Sequence, residues 1–145
     1  MNPISPSQFL LKTLDHEEIQ LEELLSPSKK NLLLFYHTNC LGCTGRAIPF
    51  AYDLLKKNPT TLNLIVIHAD FGTTDNSKEE ILEIFHTKEA PFPIYRDVDA
   101  KLYHTLHCEG TPHWILLSEN GAVLNSIFGS QDNAQLRLHY MLEEG

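Results

Sequence analysis

The run Leu32-Leu33-Leu34-Phe35-Tyr36-His37-Thr38-Asn39-Cys40-Leu41-Gly42-Cys43 decides how this chain is read. Leu32 to Tyr36 is continuously apolar, and polar residues stand on both flanks. That length and the two aromatic residues predict a strand over Asn31–His37, buried on both faces. After the cysteines, Arg46 to Lys57 has helical spacing, with Ile48, Tyr52 and Leu55 on one stripe and Lys56-Lys57 near the end. Pro49 lies inside this segment, where it should kink or locally break the helix.

The two cysteines therefore fall where a buried strand turns into a helix. Their i, i+3 spacing puts both sulfurs on one side of the first helical turn, within disulfide reach. The helix start offers unpaired N–H groups and positive dipole potential, and both favour a thiolate. Cys40 is expected to be the attacking, partly exposed sulfur, and Cys43, one turn in, the buried resolving one. Two other readings compete. A lone C-x-x-C is also half of a zinc site, and two cysteines can be purely structural. No second C-x-x-C exists, and Cys108 is the one remaining thiol. The strand-to-helix placement favours redox chemistry.

Outward from this centre, Phe9–Leu14 and Glu17–Leu21 read as a hairpin around Asp15-His16. Leu24-Leu25 ends a short helical turn. Leu62–His68 is a second buried strand. Ser77 with Glu80 three residues on makes a capping box, and Ile81, Ile84 and Phe85 line the helix that follows. Ile94-Tyr95 adds a short extended piece, and Asp99 is expected to cap a helix through Leu106. Trp114–Leu117 and Val123–Phe128 pair across the turn Glu119-Asn120-Gly121. Gln131–Leu142 is a final amphipathic helix. Strand–helix alternation implies a parallel sheet core with antiparallel additions.

The 145 residues suit one domain, and 42% are hydrophobic, enough for a core without disulfide staples. A net charge of −8 with no long basic run argues against nucleic acid or anionic lipid as partner. No stretch approaches the length of a membrane span. Met1 to Pro6 has no basic or apolar signal region, so the expectation is a cytoplasmic protein, or a periplasmic one trimmed to its mature form.

The quoted run resembles the active-site strand of the thioredoxin superfamily, and within it the TlpA/ResA-like and redoxin branch. The N-terminal hairpin, Phe92-Pro93-Ile94-Tyr95-Arg96-Asp97 before a short helix, and Gly110-Thr111-Pro112 before a strand-turn-strand all fit that branch. The resemblance spans residues 8–143. It implies an α/β, three-layer thioredoxin-like sandwich, with a central mixed sheet flanked by helices and an extra N-terminal hairpin. It further implies a thiol–disulfide oxidoreductase that needs no cofactor and no metal. Such a protein works as a monomer on a disulfide-containing protein substrate, with an upstream redox partner. Pro112 would be cis and beside the dithiol, and Thr111 would present its backbone to an extended substrate segment.

Several positions depart from the family pattern. Asn39 stands where Trp is common, and Leu41-Gly42 replaces Gly-Pro or Pro-Pro. The interval from Cys43 to Pro49 is one residue longer than usual, which points to a bulge near Gly45. Leu34 stands where thioredoxins carry a buried Asp, so Glu109 becomes a candidate substitute, against its plainer reading as a solvated carboxylate. Cys108 is either a small core residue or a third thiol near the dithiol. His37, His107 and His113 fall in segments expected near Cys40, which keeps open a copper- or zinc-binding chaperone of Sco type. A non-catalytic interaction domain with a vestigial dithiol is the third class. His16, His68, His86, His104 and His139 are expected to be structural or solvated. Thr38 lies two residues before Cys40 rather than three, which argues against a peroxidase.

Overall fold

The structure is a computed structural model and describes residues 3–72, 76–85, 87 and 89–143. Met1 and His86 lie outside the described residues.

The decisive run forms β3, Lys30–Tyr36, whose residues from Asn31 onward are all buried. It pairs in parallel with β4, Leu62–Ala69, and antiparallel with β6, His113–Leu117. Strands β5 (Ile94–Asp97), β1 (Leu10–Thr13) and β2 (Glu18–Gln20) extend the sheet on one side, and β7 (Val123–Phe128) closes the other. The order is β2-β1-β5-β4-β3-β6-β7. The core β3, β4 and β5 run parallel, while the N-terminal hairpin and β6–β7 supply antiparallel edges.

Alternation of side chains across β3 splits the core in two. Leu32, Leu34 and Tyr36 face one cluster, with α2 (Ile48–Lys57), Ile81 of α3 (Lys78–Leu82) and α5 (Asp132–Glu143). Leu33 and Phe35 face the other, with α1 (Leu21–Leu24) and α4 (Lys101–Thr105). The result is a three-layer sandwich. The capping box at Ser77 and Glu80 forms as expected, with the Glu80 N–H donating to Ser77 Oγ at 3.1 Å. Gly121 turns the last hairpin at φ +95, where an added Cβ would collide with the Ile4 carbonyl.

One local expectation changes. Asp99 does not cap the short helix: it sits inside the bend at φ 57. The cap is Asp97, whose Oδ1 and Oδ2 accept the N–H groups of Leu102 at 3.0 Å and Tyr103 at 2.8 Å. The backbone reverses through Asp99 and Ala100, which carries the helix start back over the end of β5. Spacing alone favours the nearer acid, and only the reversal brings Asp97 into range. Pro49 lies inside a helical run continuous from Leu41, and the α pattern is locally broken just before it, as expected. The extra residue before it is absorbed by a π-helical turn, Cys43–Ala47, which contains Gly45.

Asp97→Ala leaves two buried amide donors unpaired. It is expected to lower unfolding free energy by about 1–3 kcal/mol, read by urea denaturation, whereas Asp99→Ala should change it little.

Candidate functional site

Cys40 is the N-cap of the helix that begins at Leu41. Its N–H closes a turn onto the His37 carbonyl at 3.0 Å, and its own carbonyl accepts the Cys43 N–H at 3.1 Å. Its Sγ stands where a capping oxygen would, accepting the Cys43 N–H at 3.2 Å. The same sulfur donates to the Thr111 carbonyl at 3.3 Å. Cys40 is partly exposed and Cys43 fully buried, and both are free thiols. Burial pushes the Cys43 thiol up to about 12, reinforced by its hydrogen bond with Cys40 and opposed by the His37 backbone N–H. The two sulfurs therefore differ in exposure and in electrostatics, although one turn separates them.

The Thr111–Pro112 peptide bond is cis. Pairing of Phe35 with His113 fixes this loop beside the end of β3. Gly42 leaves little room there: a Cβ would lie 3.2 Å from Ser130 Oγ and 3.9 Å from Pro112 Cδ. A groove of about 380 Å³ opens beside Cys40, walled by Thr111, Pro112, Phe128 and Ser130. Leu41, 86% exposed, and Phe128, 49% exposed, stand near it as unshielded apolar side chains.

Strand order, the sheet's three layers and a C-x-x-C beside a cis-proline loop can be set against known proteins. No protein-family model matches the chain. Sporulation thiol-disulfide oxidoreductase A of Bacillus subtilis is 22% identical over 135 residues, covering 93% of this chain and 79% of that protein. Thioredoxin-like protein SkfH of the same organism is 26% identical over 104 residues, 71% of this chain and 72% of its own length. The solved structure of the exposed lipoprotein thioredoxin of Streptococcus pneumoniae superposes with a TM-score of 0.73 at 17% identity, covering 94% of this chain and 98% of that one. The fold is thioredoxin-like. Its resemblance to thioredoxin-fold thiol–disulfide oxidoreductases runs nearly the length of the chain.

Not every expected neighbour reaches the thioredoxin-like dithiol. Cys108 is half-buried in the cluster on the opposite sheet face, with its thiol pushed up to about 12 by burial. The reading of Cys108 as a third thiol beside Cys43 is thereby corrected: the sheet stands between them. Glu109 is exposed, and its N–H donates to His113 Nδ1 at 3.3 Å. His113 is buried against Ser126 Oγ at 2.7 Å, on the same side as Phe35, and His107 is exposed. Among the described residues, no three His, Cys, Asp or Glu side chains gather as a metal site.

His37 does lie at the site. Its Nδ1 accepts the Asn39 N–H at 3.0 Å, and its ring packs at a tilt against His68 at 4.7 Å and stacks on Phe71 at 5.8 Å. Burial, then His68, holds its pKa below the usual imidazole value. His68, expected to be structural or solvated, is wholly buried and bonded through Nδ1 to Asp70 Oδ1 at 2.7 Å. Arg96 is also buried, 3.8 Å from Asp70. The signal for this row was the polar residue at the end of each strand, at alternating positions.

At near-neutral pH, iodoacetamide is expected to label Cys40 in the reduced native protein. Cys43 should be labelled only after unfolding, and Cys108, half-buried, much more slowly than Cys40, since burial keeps both protonated. Peptide mass spectrometry reads this, and equal labelling of Cys108 would contradict the packing.

Proposed function

We propose that this chain is a thiol–disulfide oxidoreductase, working as one domain and one copy. Cys40 attacks the partner's disulfide; in reverse, a partner thiolate attacks the Cys40 sulfur of the Cys40–Cys43 disulfide and Cys43 leaves as the thiolate. Cys43 resolves the mixed disulfide, and the Thr111–Pro112 loop holds the partner's backbone. The observation that carries this reading is the asymmetry of the pair. Cys40 Sγ is open to a groove and bounded by the Cys43 N–H and the Thr111 carbonyl, while Cys43 is sealed behind it.

The reaction is a two-electron exchange that conserves atoms. A thiolate at Cys40 displaces one sulfur of the partner, whose thiolate leaves and takes a proton. Cys43 then displaces the second, closing the Cys40–Cys43 bond. The direction follows from the potential of this dithiol against that of the partner. The groove beside Cys40 suits an extended segment of a disulfide-bearing protein, with apolar side chains resting on Leu41 and Phe128. An upstream thiol or disulfide protein resets the pair. The pneumococcal neighbour is described as an exposed lipoprotein. This supports an extracytoplasmic setting rather than the cytoplasmic one suggested by the N-terminal composition. No helix among the described residues is long and apolar enough to cross a membrane.

A redox titration with mass-spectrometric mapping tests the reading. The expected result is a Cys40–Cys43 disulfide with a single measurable potential. Trp114, buried in the same cluster as Cys43, reports it by fluorescence. Cys40→Ser is expected to reduce insulin-disulfide turnover to background, and Cys43→Ser to trap partners as mixed disulfides on Cys40. Wild-type turnover in Cys40→Ser, or no internal disulfide at any potential, would sink the assignment.

A further inference from the structure

Thr38, Asn39 and Cys40 lead from β3 into the dithiol, and each gives its backbone N–H to a histidine. The Cys40 N–H donates to the His37 carbonyl at 3.0 Å. The Asn39 N–H donates to His37 Nδ1 at 3.0 Å, and the Thr38 N–H to His68 Nε2 at 3.4 Å. His68 reaches the turn from the neighbouring strand, where it stands opposite Tyr36 in register. An imidazole nitrogen that accepts an N–H carries no proton. The proton of His68 is therefore on Nδ1, which donates to Asp70 Oδ1 at 2.7 Å, and that of His37 is on Nε2. His68 is wholly buried, Asp70 is buried beside it, and the two rings pack at 4.7 Å. A leucine at position 68 would fill an apolar strand at less cost, so a buried imidazole with both nitrogens engaged calls for a reason.

We propose that His68, oriented by Asp70, and His37 are positioning residues that fix the turn carrying Cys40, and that they hold it only while both rings are neutral. This inference rests on the oxidoreductase reading above and adds what aims its nucleophile. Neither ring touches the reacting atoms. They set the path of residues 38–40, and through it the place of Cys40 Sγ against the Thr111 carbonyl, 3.3 Å away, and the groove beside it. Asp70 selects the tautomer: with the proton held on Nδ1, Nε2 is left as an acceptor. A proton on Nε2 would set donor against donor at Thr38, and a proton on His37 Nδ1 would do the same at Asn39. Tyr36 of β3 faces the His68 ring edge on, Arg96 of β5 lies opposite it in register and 3.8 Å from Asp70, and the helix brings Cys43 to the same sheet face. Beyond Phe71, which stacks on His37, come Tyr103 and His104 of α4. Arg96 and the second imidazole both oppose a further positive charge here. Burial, then His68, holds His37 below the usual imidazole range, so its bond to Asn39 is kept at neutral pH and lost as the pH falls below that range.

The test uses the reduced full-length chain. Nitrogen-15 NMR of the imidazoles at neutral pH is expected to show His68 protonated on Nδ1 and His37 on Nε2. On acidification the Thr38 and Asn39 amide protons should shift upfield in step with the two rings, as their hydrogen bonds are lost. Single turnovers against glutathione disulfide, quenched in acid and resolved by mass spectrometry, give the rate of Cys40 adduct formation. Dividing by the thiolate fraction, read from ultraviolet absorbance, removes any change in the thiol's own ionisation. His68→Phe is expected to slow this rate about two- to tenfold, the worth of one net hydrogen bond. His68→Gln, whose side-chain oxygen can take the Thr38 N–H, is expected to restore it. Reversed tautomers, or amides that ignore the titration of the rings, overturn the proposal. So does a wild-type rate in His68→Phe, or a His68→Gln chain as slow as His68→Phe, since packing and not the acceptor then matters. If His68→Phe fails to fold, the wild-type NMR signals decide. If wild type forms no adduct on Cys40, the oxidoreductase reading falls and this inference with it. If the adduct forms equally fast in every chain, that reading stands and only the positioning role falls.

Discussion

The register of β3 against its two neighbours is the constraint on which this molecule depends. Backbone hydrogen bonds on both sides leave β3 no freedom to slip, because a one-residue shift would exchange its two buried faces. With Phe35 fixed opposite His113, the Thr111–Pro112 loop must arrive beside the point where β3 ends. With Tyr36 fixed opposite His68, the polar row must lie under the helix start. The site is therefore assembled by main-chain pairing far more than by contacts among its own side chains.

The same pairing explains why two sulfurs so near in sequence differ so much. Cys40 caps a helix beyond the C-terminal end of the central strand β3, where the chain leaves the core, while Cys43 is carried one turn back over the apolar face. Cys108 meets a different fate. It follows α4, which packs on the other face, so the sheet insulates it from the dithiol. One layer of backbone thus separates the Cys40–Cys43 pair from the third thiol.

Much of this was legible in the residues. The apolar run, the alternation of strands and helices, the capping box and the hairpin at Asn120-Gly121 carry strong local signals, and the structure contains them. The cysteine spacing and Gly-Thr-Pro marked where the site would be. What escaped was whatever depends on a change of chain direction. Spacing points to Asp99 as the cap, and only the backbone reversal brings Asp97 into that place. His68 and Arg96 look unrelated in sequence, yet sheet pairing makes them neighbours. His113 is next to Pro112 in sequence but faces away from Cys40, because alternate residues on a strand take opposite sides, and Cys108 does so because it follows α4 on the other face.

The π-helical turn at Cys43–Ala47 has a further meaning. An α-helix advances about 100° per residue, so its apolar stripe normally dictates where every earlier side chain points. One additional residue in a wide turn breaks that phase relation between Cys43 and the stripe of Ile48, Ala51 and Leu54. The helix can then seat its apolar side on the sheet while the sulfurs keep a heading of their own. Packing and chemistry become separately adjustable, and a lineage can change one without dismantling the other.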